Sequence, residues 1–260
     1  MARNVLFQTL AKRVAESAVA SLPPSLATTS EVLGSEVALK GASLLLTASL
    51  AGGHVGGAGG EGSVSPCSVG DGITGVIAQV RENMVLRRAV VVGGKGCLVT
   101  PYIHNSPAPG LGSLGVLVAL RFQGGAAALS PTHPAAPALS ALSRRLAMHI
   151  AASNPAYLNR GQVAEATLER ERAVAQGQTL EGGSGAGKAP ELLAKIVEGR
   201  LGKFYGEFVL GEQTFALGGA DAPPIKVAKW LDREAKAAGS PPAEAVAFAT
   251  LRVGSEGGSG

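Results

Sequence analysis

The run Gly182-Gly183-Ser184-Gly185-Ala186-Gly187-Lys188-Ala189 comes nearest to a reaction centre in this sequence. Its G-x4-G-K spacing is that of a loop whose backbone amides cradle phosphates while the lysine reaches the outer ones. Ala189 stands where such a loop needs a Ser or Thr hydroxyl for magnesium, and a helical stretch precedes it where a buried strand is required. In a chain with 37 glycines the spacing arises easily, so 182–188 reads as a linker, with a phosphate-loop hydrolase as the minor alternative. The histidines are His54, His104, His133 and His149, and neither Cys67 nor Cys97 lies at metal-ligand spacing from any of them. Gly183 to Gly187 fails as a nucleophile elbow because Gly185 occupies the serine position. Aspartate occurs only at Asp71, Asp221 and Asp232, in polar surroundings. No catalytic group, metal or cofactor site is expected. The pattern points to a protein that acts by binding.

Composition narrows the class further. Of 260 residues, 16% are charged, 4% aromatic and 46% hydrophobic, which excludes general disorder and leaves a core of Ala, Val and Leu. No apolar run approaches the roughly 18 residues of a membrane span. The net charge of +4 is spread over isolated doublets, Lys12-Arg13, Arg87-Arg88 and Arg144-Arg145, so neither nucleic acid nor membrane is expected as a partner.

The elements that must carry any binding surface follow from periodicity. Phe7, Leu10, Val14 and Ala18 predict an amphipathic helix over 3–20, with Pro23-Pro24 ending that segment. A second helix is expected over 31–50. The tract 51–72 holds nine glycines and reads as a disordered loop. Residues 73–88 read as helix and then extended chain. Ala89 to Val92, the turn Gly93-Gly94-Lys95-Gly96, and Cys97 to His104 predict a hairpin, with Pro101 marking an edge strand. Leu114 to Phe122 is a third strand. Leu142, Leu146 and Ile150 define a helix that stops near Asn154-Pro155, with His149 toward the edge of its apolar arc, where it reads as a core-edge histidine hydrogen-bonded to backbone, with a partner contact as the alternative. A charged helix is expected from Val163 to Ala175, and an amphipathic one from Glu191 to Phe208. A short helix at Val227 to Ala235, a strand at Ala245 to Val253 and a tail over 254–260 complete the chain. The class is α+β.

Several of these segments, in order, resemble elongation factor Ts, the guanine-nucleotide exchange factor for elongation factor Tu. ARNVLFQTLAKRVAESAV (2–19) is similar to the family helix A-R-N-x-x-F-x-x-L-A-x-x-V-A, and RENMVLRR (81–88) to G-E-N-x-x-x-R-R with Arg81 for glycine. YIHNSPAPGLGSLGVLVAL (102–120) resembles the Y-x-H segment leading into I-G-V-L-V. LAMHIAASNPAYL (146–158) is close to A-M-H-V-A-A-x-x-P. KIVEGRLGKFYGEFVLGEQTF (195–215) matches E-G-R-x-x-K-F-x-x-E-x-x-L-x-x-Q-x-F, and VAFATLRVGSE resembles the closing R-F-x-V-G-E strand. The HNSPAPGLG loop is similar to that of plant and algal mitochondrial members.

The resemblance implies two small subdomains, 31–158 and 159–253, each with helices on a short antiparallel sheet, the first sheet incomplete. It implies a factor that binds elongation factor Tu·GDP and promotes GDP release in mitochondria, with chloroplast or bacterial cytoplasm as alternatives. Carried over by motif, Leu114 and Gly115 meet a G-domain helix of the partner, with His149 near the same contact. Ala216 and Leu217 form the second-subdomain contact, and Ala2, Arg3 and Asn4 adjoin the family's Asp-Phe wedge. The T-D-F-V motif expected before Ala2 is absent, as are the strands ahead of it, so an N-terminally truncated sequence is expected, with 1–22 as the helix that follows the wedge. A passive module that binds elongation factor Tu without exchange is the alternative that this absence leaves open.

Overall fold

A computed structural model describes residues 3–21, 48, 50, 67–94, 96–123, 133–181, 190–218 and 223–254. The expected helix over 31–50 and the linker 182–188 therefore lie outside the described residues, apart from Ala48 and Leu50.

Helix α1 spans Val5–Ala20 and is capped by Asn4, whose side-chain oxygen accepts from the Leu6 and Phe7 amides at 2.9 and 3.4 Å. Its buried side, with Leu10 and Ala18, meets α2, Val69–Val80. The start of α2 corrects the expectation of a loop through 72. Ser68 and Asp71 form a reciprocal cap, the Asp71 amide donating to Ser68 Oγ at 3.1 Å and the Ser68 amide to Asp71 Oδ2 at 3.2 Å. Val69 and Val76 are then fully buried against Leu10 and Leu50.

The sheet is built from β1 (Cys97–His104), β2 (Leu114–Phe122) and β3 (Ala243–Arg252), antiparallel in the order β1-β2-β3. Pro101 sits on edge strand β1, where its missing N–H costs no ladder bond. Two expectations change here. Residues 89–92 do not form a hairpin with β1; Val90 and Val92 instead cover one sheet face, against Leu117, Ala119 and Ala247. That packing leaves Val92 only 7% exposed, with Val90 partly buried beside it. And among the described residues there is one sheet rather than one per subdomain, because β3 returns from the far end of the chain to pair with β2, Val118 facing Phe248.

The opposite face carries the main core. Val116, Val118, Leu120 and Phe122 alternate along β2 and meet Leu139, Leu142, Leu146 and Ile150 of α3, Ala136–Ser153. Asn154 ends α3 in the left-handed region, φ 42°, immediately before Pro155. Two further helices, α4 (Glu165–Glu181) and α5 (Pro190–Phe208), pack on each other. α4 runs past the expected stop at Ala175, since the single Gly177 costs only about 1 kcal/mol in a helix. Of the apolar stripe expected on α5, only Leu201 is buried, and Leu192 remains 45% exposed. Helix α6, Val227–Ala237, inserts Val227, Trp230, Leu231 and Ala235 into the same core as α3.

Candidate functional site

At the Leu114 end of β2, strand pairing sets Gly115 between Ile103 of β1 and Leu251 of β3. A Cβ built on Gly115 meets nothing within 4 Å, so no packing inside the chain demands glycine here. The open space belongs to a groove of about 510 Å³. It runs between Phe7 of α1, residues 83–88, the 110–112 turn and the end of β3, and Arg87, Arg88 and Arg252 bring basic charge to it. Val85 and Val253 line it and are 70% and 77% exposed. Leu114 differs from its neighbour. It is only 5% exposed, held between His104 and Arg252, so its side chain belongs to the interior, whereas Gly115 opens to the groove. Arg3 and Asn4 are exposed at the start of α1, whose Phe7 lines the groove, while Ala2 lies outside the described residues.

A second set of residues gathers where α3 meets the segment after α5. Here the chain makes a short 3-10 turn, Leu210–Glu212, and then runs through Gln213 to Ala216 and Leu217. Glu212 anchors the turn by accepting from Arg160 at 3.0 Å and from Lys226, and these cations hold its carboxyl below the usual range. Gln213 is buried and donates to the Glu207 and Ser153 carbonyls at 2.6 and 3.3 Å. Its side-chain oxygen faces His149 Nε2 at 3.0 Å. The other ring nitrogen, Nδ1, accepts from the Ala216 amide at 3.2 Å. Phe215, next in the segment, stacks on Trp230 with centroids 3.7 Å apart and planes 10° from parallel. The Arg145 guanidinium covers both rings at 5.3 and 5.2 Å and pairs with Glu234 at 3.1 Å.

His149 is a core histidine hydrogen-bonded to backbone, as expected, but it sits deeper than expected. Its ring is not at the edge of the apolar arc but wholly buried, and burial pushes its pKa below the ordinary 6.5, with the Gln213 hydrogen bond opposing. In the free chain its ring has no exposed surface. Ala216 is exposed and Leu217 partly so, and these are the residues of the expected second contact. Gln213 lies within the Q-x-F pattern, but a buried glutamine that satisfies two carbonyls cannot be told from an exposed one by sequence. Among the described residues no group of three or more His, Cys, Asp or Glu side chains is placed to hold a metal ion. The glycine-rich run at 182–189 lies outside them.

These features define an α+β protein with an open strand glycine in a groove that Val85 and Val253 line, and with a separate surface segment braced from within. A family model described as Elongation factor TS matches residues 61–255. The elongation factor Ts of Rhodospirillum rubrum is 40% identical over 183 residues, which is 70% of this chain and 52% of that protein. That of Zymomonas mobilis is 37% identical over 176 residues, 67% of this chain and 51% of the relative. That of Gluconobacter oxydans is 39% identical over 166 residues, 64% and 49% respectively. The chain belongs to the elongation factor Ts family. It spans about half the length of the curated relatives it matches.

Proposed function

We propose that this chain docks on elongation factor Tu and promotes GDP release, regenerating the active GTPase. The observation that carries this reading is Gly115. It lies in the segment that matches the family, it faces an open apolar groove, and nothing inside the chain requires its missing side chain. A glycine in a strand interior costs about 0.5–1 kcal/mol relative to alanine. A close-approaching partner backbone accounts for that cost. Ala216 and Leu217 form the second contact, and Arg3 and Asn4 flank the first.

Exchange of this kind needs no covalent chemistry. A factor that binds the nucleotide-free partner more tightly than the GDP form must, by linkage, weaken GDP binding by the same ratio. Stopped-flow measurement of fluorescent GDP release from elongation factor Tu, with and without the chain, tests the proposal. Acceleration is expected. Stable complex formation with no acceleration would instead establish a passive binding module, and absence of a complex would overturn both. The setting we propose is mitochondrial translation, supported by the character of the HNSPAPGLG loop over 104–112. A fluorescent fusion of the complete gene product that stayed in the cytosol would contradict it.

A further inference from the structure

We infer that His149 is a positioning residue, which shapes the Ala216–Leu217 contact through its ring tautomer without touching the partner; this rests on the docking role proposed above for that segment. The argument is one of donor and acceptor accounting. The Ala216 backbone N–H can only donate, so Nδ1 must accept and carries no proton. The ring proton then sits on Nε2 and donates to the Gln213 side-chain oxygen at 3.0 Å. Gln213 cannot be turned around, because its NH2 group is engaged by two carbonyls, those of Glu207 and Ser153. The network therefore has a single consistent assignment: neutral imidazole, Nε2–H. The Ser153 hydroxyl, 3.4 Å from Nδ1, is compatible with it as a weaker second donor.

The ring thereby spans the two ends of the exposed segment's root. One nitrogen holds Gln213 and the other holds the amide of Ala216, three residues on, while Phe215 between them packs against the imidazole with centroids 5.5 Å apart. The main chain on either side is also fixed, since the Phe215 amide donates to the Ile225 carbonyl at 2.8 Å and the Val227 amide to that of Gln213 at 2.9 Å. Near the segment's root, Arg160 and Lys226 are paired with Glu212. From α3, Arg145 lies over Phe215 and Trp230 and pairs with Glu234 of α6; from α5, Glu207 offers its main-chain oxygen. A proton added to Nδ1 would meet the Ala216 N–H donor head-on, so the cationic ring is incompatible with this shape.

Two replacements separate positioning from bulk packing. Asparagine can present an oxygen near the Nδ1 position, whereas glutamine reaches toward the Nε2 position. With the full chain, His149→Asn is expected to keep the Ala216 amide slow in hydrogen exchange and to hold the Kd for nucleotide-free elongation factor Tu within about twofold. His149→Gln is expected to speed exchange at Ala216 and weaken binding about three- to tenfold, the worth of one hydrogen bond. Ring nitrogen-15 spectra of the unmodified chain supply a readout independent of either variant, with an unprotonated Nδ1 expected at neutral pH. A protonated Nδ1 there, or equal Ala216 exchange and equal affinity in both variants, would overturn the inference. Failure of the unmodified chain to bind elongation factor Tu would sink the docking proposal instead, while the exchange and tautomer results would still decide what the ring holds.

Discussion

Replacing Gly115 by alanine separates a glycine kept for docking from one kept for folding. The added methyl meets nothing within 4 Å, and the residue sits in ordinary strand conformation between Ile103 and Leu251. No steric cost arises inside the chain, and the loss of glycine's extra freedom in the unfolded state favours the variant, so stability should stay level or rise by about 0.5–1 kcal/mol. The effect on the partner should be opposite. A methyl forced into a close-packed contact costs about 1–3 kcal/mol, or from about fivefold to over a hundredfold in Kd. Gly112 provides the contrast in the same groove, because a Cβ there would lie 2.3 Å from Ile103 Cγ2 and 2.6 Å from the His104 carbonyl oxygen. Gly112→Ala should thus lose about 1–3 kcal/mol of fold stability. Urea unfolding of both variants, paired with calorimetric binding to elongation factor Tu and GDP-release rates, gives the two quantities. Gly115→Ala unfolding more easily by over about 1 kcal/mol, or binding and exchanging like the unmodified chain, would refute the reasoning.

Acidification should destabilise the fold through His149. Its folded pKa lies below 6.5, so the neutral form's contribution is complete above that value and is lost as pH falls from 6.5 toward the folded pKa; denaturant midpoints should drop over that window in the unmodified chain and drop less in His149→Asn. Leu146→Ala removes a fully buried side chain between α3 and the sheet and should cost about 2–5 kcal/mol by urea unfolding, with loss of near-ultraviolet signal from Trp230 at lower denaturant. Ser68→Ala breaks the reciprocal cap of α2 and should cost about 1 kcal/mol, seen as faster amide exchange over Val69–Val80, while Ser68→Asp should largely retain protection.

Elements with a strong period are legible in the sequence. The α3 stripe of Leu142, Leu146 and Ile150, the Asn154-Pro155 stop and the strand at Leu114 to Phe122 all lie where spacing put them. What spacing could not tell was pairing. Val90 and Val92 alternate like a strand, yet the alternation only says that one side is buried, and here a sheet face rather than a neighbouring strand buries it. The start of α2 was hidden by composition, although S-V-G-D from Ser68 to Asp71 is a capping signal that outweighs two nearby glycines. At the candidate site, Gly115 was identified through its motif, but its openness is a property of three strands brought together. His149 shows the converse. Its helical phase placed it at the boundary, and the segment 213–216, distant in sequence, closes over it.

The return of β3 has a consequence for how the chain is made. Phe122 pairs with Ala243, and all of α3, α4, α5 and α6 intervene between them. As the chain leaves the ribosome, β1 and β2 can pair early, but the other side of β2, rich in Val and Leu, keeps a row of unpaired amides and carbonyls until the last strand arrives. Such distant pairing slows folding and lengthens exposure of a sticky edge. The chain thus has a vulnerable interval during its own synthesis, and the same strand that ends this interval completes the groove around Gly115.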